Sequence, residues 1–209
     1  MKIGNFLCLS GALFASTTLY AAETSNSERN IPAHRAHIEA KHHEEGDFYV
    51  VVKGLFSLGD TYIEEATDTE PEAKLQGSTG EGFGIDIGYR LGYGFATELD
   101  FSYAHTTVTK SVVGEEDKKA GANYYTVGFD LLYGYHLNEA IVVFGKIGWE
   151  IEKEKISGFG ISGTNDGFTY AAGLEYGLNE HWALVGEYEA SLIDGPRGNN
   201  LFAGLIYTF

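Results

Sequence analysis

The chain has 209 residues with one Cys, three Pro and 28 Gly, so it has room for a single domain and no disulfide framework. Its 14 basic and 30 acidic residues give a formal net charge of −16, which argues against nucleic acid as a partner because little positive charge would meet the phosphates. Beyond the N-terminal segment no apolar run approaches the roughly 18 residues of a transmembrane helix, which excludes a helical membrane protein.

The first 22 residues have the pattern of a secretory signal peptide. Lys2 precedes an apolar run that ends at Leu19, and the small pair Ala21-Ala22 follows. Cys8 lies early in that run and no small residue precedes it, so we interpret it as incidental rather than as a lipoprotein anchor. We therefore predict that this segment is removed and that the chain is exported across the inner membrane.

Residues 23–46 are predicted to form a polar periplasmic tail, because they contain Pro32 and show no apolar face. The tail carries four histidines, which are His34, His37, His42 and His43. With Glu44 and Glu45 they could form a weak metal site of imidazole and carboxylate ligands. The lack of Cys and of a fixed scaffold favours a flexible tail instead, so we expect no metal ion and no other cofactor.

From Asp47 onward, segments of about ten residues alternate between apolar and small or charged side chains. In residues 81–92 the odd positions include Phe83, Ile85 and Ile87, whereas the even positions are glycines and charged residues. The same period of two recurs over 95–104, 124–136 and 168–178. Less regular segments at 48–58, 140–152, 182–193 and 200–209 complete a set of eight predicted strands.

The composition of the face that carries small or charged residues distinguishes between the folds that the strands could form. A soluble sandwich or a lipocalin-like barrel is the alternative, but its solvent face should be rich in Lys, Glu and Thr and poor in Gly. Here that face holds Gly, Ala, Ser and isolated charges, as the crowded interior of a small barrel requires. Tyr and Phe near the strand ends fit aromatic girdles at two membrane interfaces. We predict an all-β fold, an eight-stranded antiparallel up-and-down transmembrane β-barrel, over residues 47–209.

The connections between the predicted strands alternate in length. The tight connections are residues 91–94, 136–139 and 178–181, and the longer or more polar ones are 59–80, 108–121, 153–167 and 194–199. Outer-membrane barrels place tight turns in the periplasm and longer loops outside. Both ends of the barrel domain are therefore expected on the periplasmic side.

Two segments resemble a known group. Residues 84–90 with the following turn and 95–99, and the last strand 200–209, resemble the OmpA-like and opacity-protein-like outer-membrane β-barrel superfamily. The resemblance implies the outer membrane of a Gram-negative bacterium, with outer-membrane lipid and lipopolysaccharide as surroundings. It also implies that Phe209, with Tyr207 and Leu205, forms part of the signal that the outer-membrane assembly machinery reads. The group includes structural anchors, narrow pores, adhesins and surface antigens.

Charged residues on the small-residue face are predicted to lie in the lumen. They are Lys53, Asp86, Arg90, Glu98, Asp100, Asp130, Lys146, Glu150, Glu175, Glu187 and Glu189. Because an isolated buried ion costs several kcal/mol, three cations and eight acids must pair or stay hydrated. One interpretation is an ion-pair network that fixes the strand register and plugs the barrel. The other is a narrow cation-preferring water path, since unpaired carboxylates attract cations.

The predicted loop 59–80 is acidic, with Asp60, Glu64, Glu65, Asp68, Glu70 and Glu72. Such a run could hold divalent cations or a basic partner, but the spacing of a calcium loop is absent, which favours a solvated loop. The predicted loop 108–121 mixes Lys110, Lys118 and Lys119 with acids, so we expect no basic patch there for lipopolysaccharide phosphates.

Catalysis is the remaining class to weigh, because the lipid A deacylases share the architecture and use a His and a Ser two residues apart on one strand. The candidate histidines here are His105, followed by Thr106-Thr107, His136, followed by Leu137-Asn138, and His181, followed by Trp182-Ala183. None matches that pattern, so we predict no enzyme. We expect an envelope-structural or surface-antigen role with a narrow cation-preferring pore as an added activity. The alternative is an adhesin that contacts a host or matrix ligand through loop 59–80.

Overall fold

The computed structural model describes residues 46–66 and 71–209. The predicted signal peptide and the tail up to residue 45, including its histidines, lie outside the described residues. The described residues form ten strands, β1 Phe48–Ser57, β2 Thr61–Glu64, β3 Ala73–Gly77, β4 Gly80–Gly92, β5 Phe95–Val112, β6 Lys118–His136, β7 Ile141–Ile156, β8 Ile161–Gly177, β9 Trp182–Ser191 and β10 Asn200–Thr208. No helix in these ranges is long and apolar enough to span a membrane.

Eight of the strands close into a ring. In ring order they are β1, β4, β5, β6, β7, β8, β9 and β10, and every neighbouring pair is antiparallel. The pairing of β1 with β10 closes the ring, with Tyr49 opposite Thr208 and Lys53 opposite Gly204. Closure removes the sheet edges where all eight strands run side by side, and the part of β8 before Thr169 projects without pairing to β9. This architecture confirms the predicted eight-stranded antiparallel barrel.

The two ends of the barrel differ. At the end that holds Phe48 and Thr208, the connections 93–94, 137–140 and 178–181 are tight, and we name it the short-turn end. Tyr93 and the glycines on either side of it have positive φ, as a two-residue hairpin turn requires. At the opposite end β5 to β8 continue well past their neighbours, and we name it the long-strand end.

Three of the predicted loops differ from the structure at the long-strand end. Residues 108–121 and 153–167 are mostly strand, so that only 113–117 and 157–160 remain as turns. Residues 59–80 contain the hairpin of β2 and β3, and β3 extends the sheet by pairing with β5, where Leu75 lies opposite Lys110. The outward side chains of these extensions are polar, so the apolar alternation that indicates the other strands is missing.

The outer surface of the barrel carries a continuous apolar belt. On β5 it runs from Phe95 to Tyr103 and on β6 from Tyr125 to Tyr135, and the side chains at alternate positions are exposed. A tilted transmembrane strand needs about 9–11 residues, so both spans match the thickness of a bilayer. Phe129, near the middle of the belt, is 54% exposed, which is unfavourable in water and favourable in hydrocarbon.

Pairs of aromatic side chains in tilted or edge-to-face contact border this belt at both ends. Ring centroids at the long-strand end are separated by 5.8 Å for Phe83–Tyr103, 5.2 Å for Tyr103–Tyr125 and 4.6 Å for Trp149–Phe168. At the short-turn end the pairs are Phe48–Tyr89 at 4.7 Å, Phe95–Tyr133 at 5.0 Å and Trp182–Tyr207 at 4.9 Å. Amphipathic rings in two such girdles are typical of the two interfaces of a membrane.

Candidate functional site: the filled lumen

The centre of the lumen holds a cluster of six charged side chains around two lysines. We name Lys53, Lys146, Asp86, Glu98, Asp100 and Glu187 the central ion cluster. Lys53 Nζ lies 2.9 Å from Asp86 Oδ2 and 2.9 Å from Asp100 Oδ2. Because successive strand side chains alternate between the two faces, these charges from β1, β4 and β5 all reach the inside.

The second lysine completes the central ion cluster from the opposite wall. Lys146 Nζ lies 2.8 Å from Glu187 Oε2 and also contacts Glu98. The Tyr49 hydroxyl donates a 2.7 Å hydrogen bond to Glu98 Oε1. Five strands are thereby joined across the lumen, and each lysine faces at least two carboxylates, which offsets part of the cost of removing these ions from water.

A separate ion pair lies nearer the short-turn end. Arg90 Nη2 lies 3.4 Å from Glu175 Oε1, and the Arg90 guanidinium also stacks 4.7 Å from the ring centroid of Tyr49. Buried apolar residues pack around this pair, and they are Tyr49, Val51, Ala96, Leu132, Phe144, Ala183 and Ile206. They do not divide it from the central ion cluster, because Tyr49 contacts both Arg90 and Glu98.

On the other side of the central ion cluster, a loop residue enters the lumen. Arg197, in the connection between β9 and β10, is buried, and its Nε lies 2.8 Å from Glu152 Oε2. It also donates a 3.1 Å hydrogen bond from Nη1 to Thr126 Oγ1, and Nη2 lies 3.5 Å from Glu150 Oε2. We name these four residues the Arg197 cluster. Burial disfavours the charge of Arg197, but the neighbouring Glu152 and Glu150 carboxylates raise its pKa above the usual value, so it stays charged.

The backbone around Arg197 is fixed by close contacts with two other loops. The Arg197 carbonyl accepts hydrogen bonds from the Gly59 amide at 2.9 Å and from Ser57 Oγ at 2.7 Å. Gly77 lies so close to this loop that a Cβ on it would be 1.8 Å from the Pro196 carbonyl oxygen. Glycine is needed at position 77 because no side chain fits there. The loop thereby holds the guanidinium in one place.

An apolar layer closes the long-strand end. Its buried members are Leu55, Leu75, Ala104, Val108, Ala120, Ala122, Tyr124, Ile156 and Phe202, with Phe159 and Ile161 packed against them. Leu75 comes from β3, so the hairpin absent from the sequence-based prediction contributes to this layer. Val108, Ala122, Tyr124 and Ile156 each have 0% exposure, as in a packed protein core.

The remaining predicted lumen residues are buried between the clusters. Glu189 Oε1 accepts a 2.8 Å hydrogen bond from Asn200 Nδ2. Asp130 lies against Gly148, where a Cβ would be only 1.9 Å from Asp130 Oδ1. The structure thus places every predicted lumen charge on the inward face, but it divides them among separate groups rather than one network. A cavity between the Arg90–Glu175 pair and the central ion cluster is lined by both groups and has about 50 Å³ of space for solvent.

Sequence reasoning missed Arg197, Glu152 and Glu154. The alternation on β7 could have indicated the two glutamates, because they share the parity of Lys146 and Glu150. Arg197 lies outside the strands, where no periodic pattern predicts the direction of a side chain. Its burial depends on contacts among three loops that are distant in sequence.

The predicted assembly residues lie on or near the outer surface of β10. Leu205 and Phe209 are exposed, and the rings of Tyr207 and Phe209 meet edge to face with centroids 5.1 Å apart. No group of three or more His, Cys, Asp or Glu side chains within residues 46–66 and 71–209 is arranged to hold a metal ion.

Comparison with known proteins identifies relatives of this architecture. The model of the outer membrane protein beta-barrel domain family matches residues 31–209. The crystal structure of the outer membrane protein OprG from Pseudomonas aeruginosa aligns with a TM-score of 0.65 and 14% identity, covering 80% of this chain and 97% of that chain. Among curated proteins the comparison found no significant match.

Two further solved structures are similar in fold. Neisserial surface protein A aligns with a TM-score of 0.56 and 15% identity, over 79% of this chain and 100% of that chain. Ail, the attachment invasion locus protein of Yersinia pestis, in complex with the heparin analogue sucrose octasulfate, aligns with a TM-score of 0.50 and 19% identity, over 79% and 100%. Likeness at these identities shows a common fold.

Proposed function

The chain belongs to the outer membrane protein beta-barrel domain family and is located in the outer membrane, and we propose that it acts there as a sealed, non-enzymatic barrel. The family and the location agree with the prediction from sequence. In the proposed orientation the short-turn end faces the periplasm and the long-strand end faces outside, as in other outer-membrane barrels. The barrel would anchor the projecting strands β5 to β8 at the cell surface and would stabilise the envelope.

The packing of the lumen supports a sealed barrel over a pore. A conducting path needs hydrated groups along the whole axis. Here every carboxylate of the central ion cluster and of the Arg197 cluster contacts a cation, and an apolar layer lies beyond them at the long-strand end. Ions would have to cross that layer, whose side chains are buried. The narrow cation-preferring pore expected from the excess of acids is therefore the less favoured function.

The surroundings of His105 support a role without catalysis. Its Nδ1 lies 3.0 Å from Asn123 Oδ1, and Thr106 Oγ1 next to it donates a 2.6 Å hydrogen bond to the Ser78 carbonyl oxygen. Thr106 is buried on the inward face, whereas His105 is exposed on the outward face. Thr107, two residues after His105, shares its outward face, but the hydrogen bond of His105 is made with Asn123 and not with Thr107. A base must be hydrogen-bonded to the nucleophile that it activates, and neither threonine meets both conditions.

Planar bilayer recordings test the sealed lumen. The folded chain is inserted into a bilayer, and flotation with liposomes of the same lipid verifies incorporation. We expect no steady conductance above that of the bare bilayer, while an open porin recorded in the same cell gives its usual steps. Steady cation-selective steps from the chain alone would overturn the proposal in favour of the pore.

An adhesin is the second candidate, and the hairpin of β2 and β3 favours it. In the proposed orientation this hairpin lies at the cell surface, where Tyr62 and Ile63 are 38% and 54% exposed. Exposed apolar side chains at a surface tip are typical of contacts with another protein. The acidic residues around them suit a ligand with basic side chains.

Cell attachment assays test the adhesin. Bacteria that display the chain are compared with bacteria that display the double variant Tyr62→Ser/Ile63→Ser, on cultured host cells and on collagen-coated surfaces. Leu75, which packs in the apolar layer, is left unchanged so that the barrel stays intact. Loss of attachment would support the adhesin, whereas equal attachment of both strains would reject a contact through this hairpin.

A further inference from the structure

Beyond the aromatic girdle at the long-strand end, β7 carries acidic side chains on its inner face and basic side chains on its outer face. The sequence from Glu152 to Lys155 alternates between glutamate and lysine. Since successive strand side chains point to opposite faces, Glu152 and Glu154 are buried in the lumen while Lys153 and Lys155 are exposed on the outer surface. A chain with a formal net charge of −16 thus presents lysines on the outside of this wall.

A third lysine extends this surface onto the next strand. Lys119 is exposed on β6, which pairs with β7 so that Tyr125 lies opposite Lys153 and Asn123 lies opposite Lys155. We name Lys119, Lys153 and Lys155 the lysine face. Lys153 and Lys155 are two residues apart on one strand, so their Cα atoms are separated by about 7 Å.

The outward residues around the lysine face include few carboxylates that could pair with its lysines. On β8, Thr164 lies opposite Lys153 and Ser162 lies opposite Lys155, and both are exposed hydrogen-bond donors. The outward positions of residues 105–111, 119–123, 153–155 and 162–166 include a single carboxylate, Asp166. Neutral donors with positive charge form the kind of surface that holds phosphate groups.

The height of the lysine face matches the headgroup level of a membrane. Ile151 is the last outward apolar residue of β7, and Trp149 just below it meets Phe168 edge to face in the girdle. Girdles mark the boundary between hydrocarbon and headgroups, so Lys153 lies immediately above the acyl chains and points sideways into the lipid.

We infer that the lysine face binds the phosphate groups of lipopolysaccharide, the phosphorylated glycolipid of the outer leaflet. Its charge is complementary, it faces the lipid, and its lysines begin where the apolar belt ends. A sulfated polysaccharide of another cell would meet the strand tips rather than a lateral surface at headgroup height, so the position favours lipid. The inference rests on the proposed orientation but not on whether the lumen conducts.

Binding of lipid A to the detergent-folded chain tests this inference by native mass spectrometry. The probes are lipid A with both phosphates and lipid A from which the phosphates have been removed. We expect the wild type to prefer the phosphorylated form. The double variant Lys153→Ser/Lys155→Ser should weaken binding of that form by on the order of tenfold, because each basic residue near an anionic lipid surface contributes several-fold to affinity.

A matched control removes two lysines elsewhere, with Lys74→Ser/Lys118→Ser. Both are exposed but lie farther from the girdle, so this variant should bind phosphorylated lipid A within about twofold of the wild type. Equal affinity of the wild type for the two lipids would overturn the inference without any variant. Retained binding of phosphorylated lipid A in Lys153→Ser/Lys155→Ser would overturn it too. Heparin is the second probe, and a loss of heparin binding alone in this variant would overturn the inference and assign the lysines to a sulfated polysaccharide.

Discussion

At the scale of single residues, the Arg197 guanidinium matters most for the stability of the barrel. It pairs with two glutamates that are themselves buried, and it comes from a loop rather than from the wall of the barrel. The desolvation cost of such a group is offset only while every partner is in place. Loss of one partner leaves an uncompensated charge in a closed lumen.

Substitution of Arg197 by Ala should therefore destabilise the barrel by about 3–5 kcal/mol, since Glu150 and Glu152 would remain buried without their cation. Urea unfolding in lipid vesicles, followed by tryptophan fluorescence, measures the change. The comparison variant is Lys118→Ala, whose exposed pair with Glu115 contributes less than about 1 kcal/mol. Equal midpoints for the two variants would contradict the Arg197 cluster.

Gly77 offers a second test at this scale. Alanine at this position would place its Cβ against the Pro196 carbonyl and push the loop that carries Arg197, at a cost of about 1–3 kcal/mol. Gly163→Ala is the control, because a Cβ there meets no atom within 4 Å. The heat-modifiable shift on gels should occur at a lower temperature for Gly77→Ala only. A shift of the same size in both variants would reject the close packing at Gly77.

At the scale of the elements, the strands that cross the membrane could be predicted and their extensions could not. Hydrocarbon outside and a narrow lumen inside impose strict alternation, which is visible in segments such as 83–91. Above the hydrocarbon, headgroups and water lie on the outer side, so Thr107, Asn123 and Lys153 replace apolar residues and the pattern resembles a loop. Backbone pairing with neighbouring strands determines the structure there.

Hydrogen exchange should reveal these extensions. Amides of residues 119–123 and 153–156 lie in paired strands, so we expect them to exchange slowly. Amides of residues 114–117, in the turn between β5 and β6, should exchange quickly in the same experiment. Rapid exchange throughout 153–156 would contradict the paired strands and support the loop predicted from sequence.

The candidate site, like the strands, could be predicted from the sequence only in part. The inward position of lumen charges on the strands, such as Lys53 and Asp86, can be predicted from the alternation alone, because a strand side chain points to one of only two faces. The grouping of these charges depends on register between strands distant in sequence, as for Lys146 and Glu98. Arg197 depends on tertiary contacts of a loop, which no local pattern encodes.

At the scale of the whole molecule, the distribution of charge and apolar surface explains location and function together. Acids lie mainly inside or at the tips, aromatic and branched side chains cover the belt, and the lysine face lies directly above it. Such a molecule is stable only when hydrocarbon surrounds the belt. Under the proposed function, the ion clusters and the apolar layer at the long-strand end fill the space that a pore would need.

Spin-label accessibility along β5 tests this arrangement most directly, because the strand runs from the short-turn end to the projecting wall. Single cysteines at Thr97, Leu99, Phe101, Thr107 and Thr109 are labelled in lipid vesicles. The account predicts strong collision with oxygen at the first three sites and with a water-soluble nickel complex at the last two. Equal access of the nickel complex to Leu99, Phe101 and Thr107 would contradict it, since the belt would then face water.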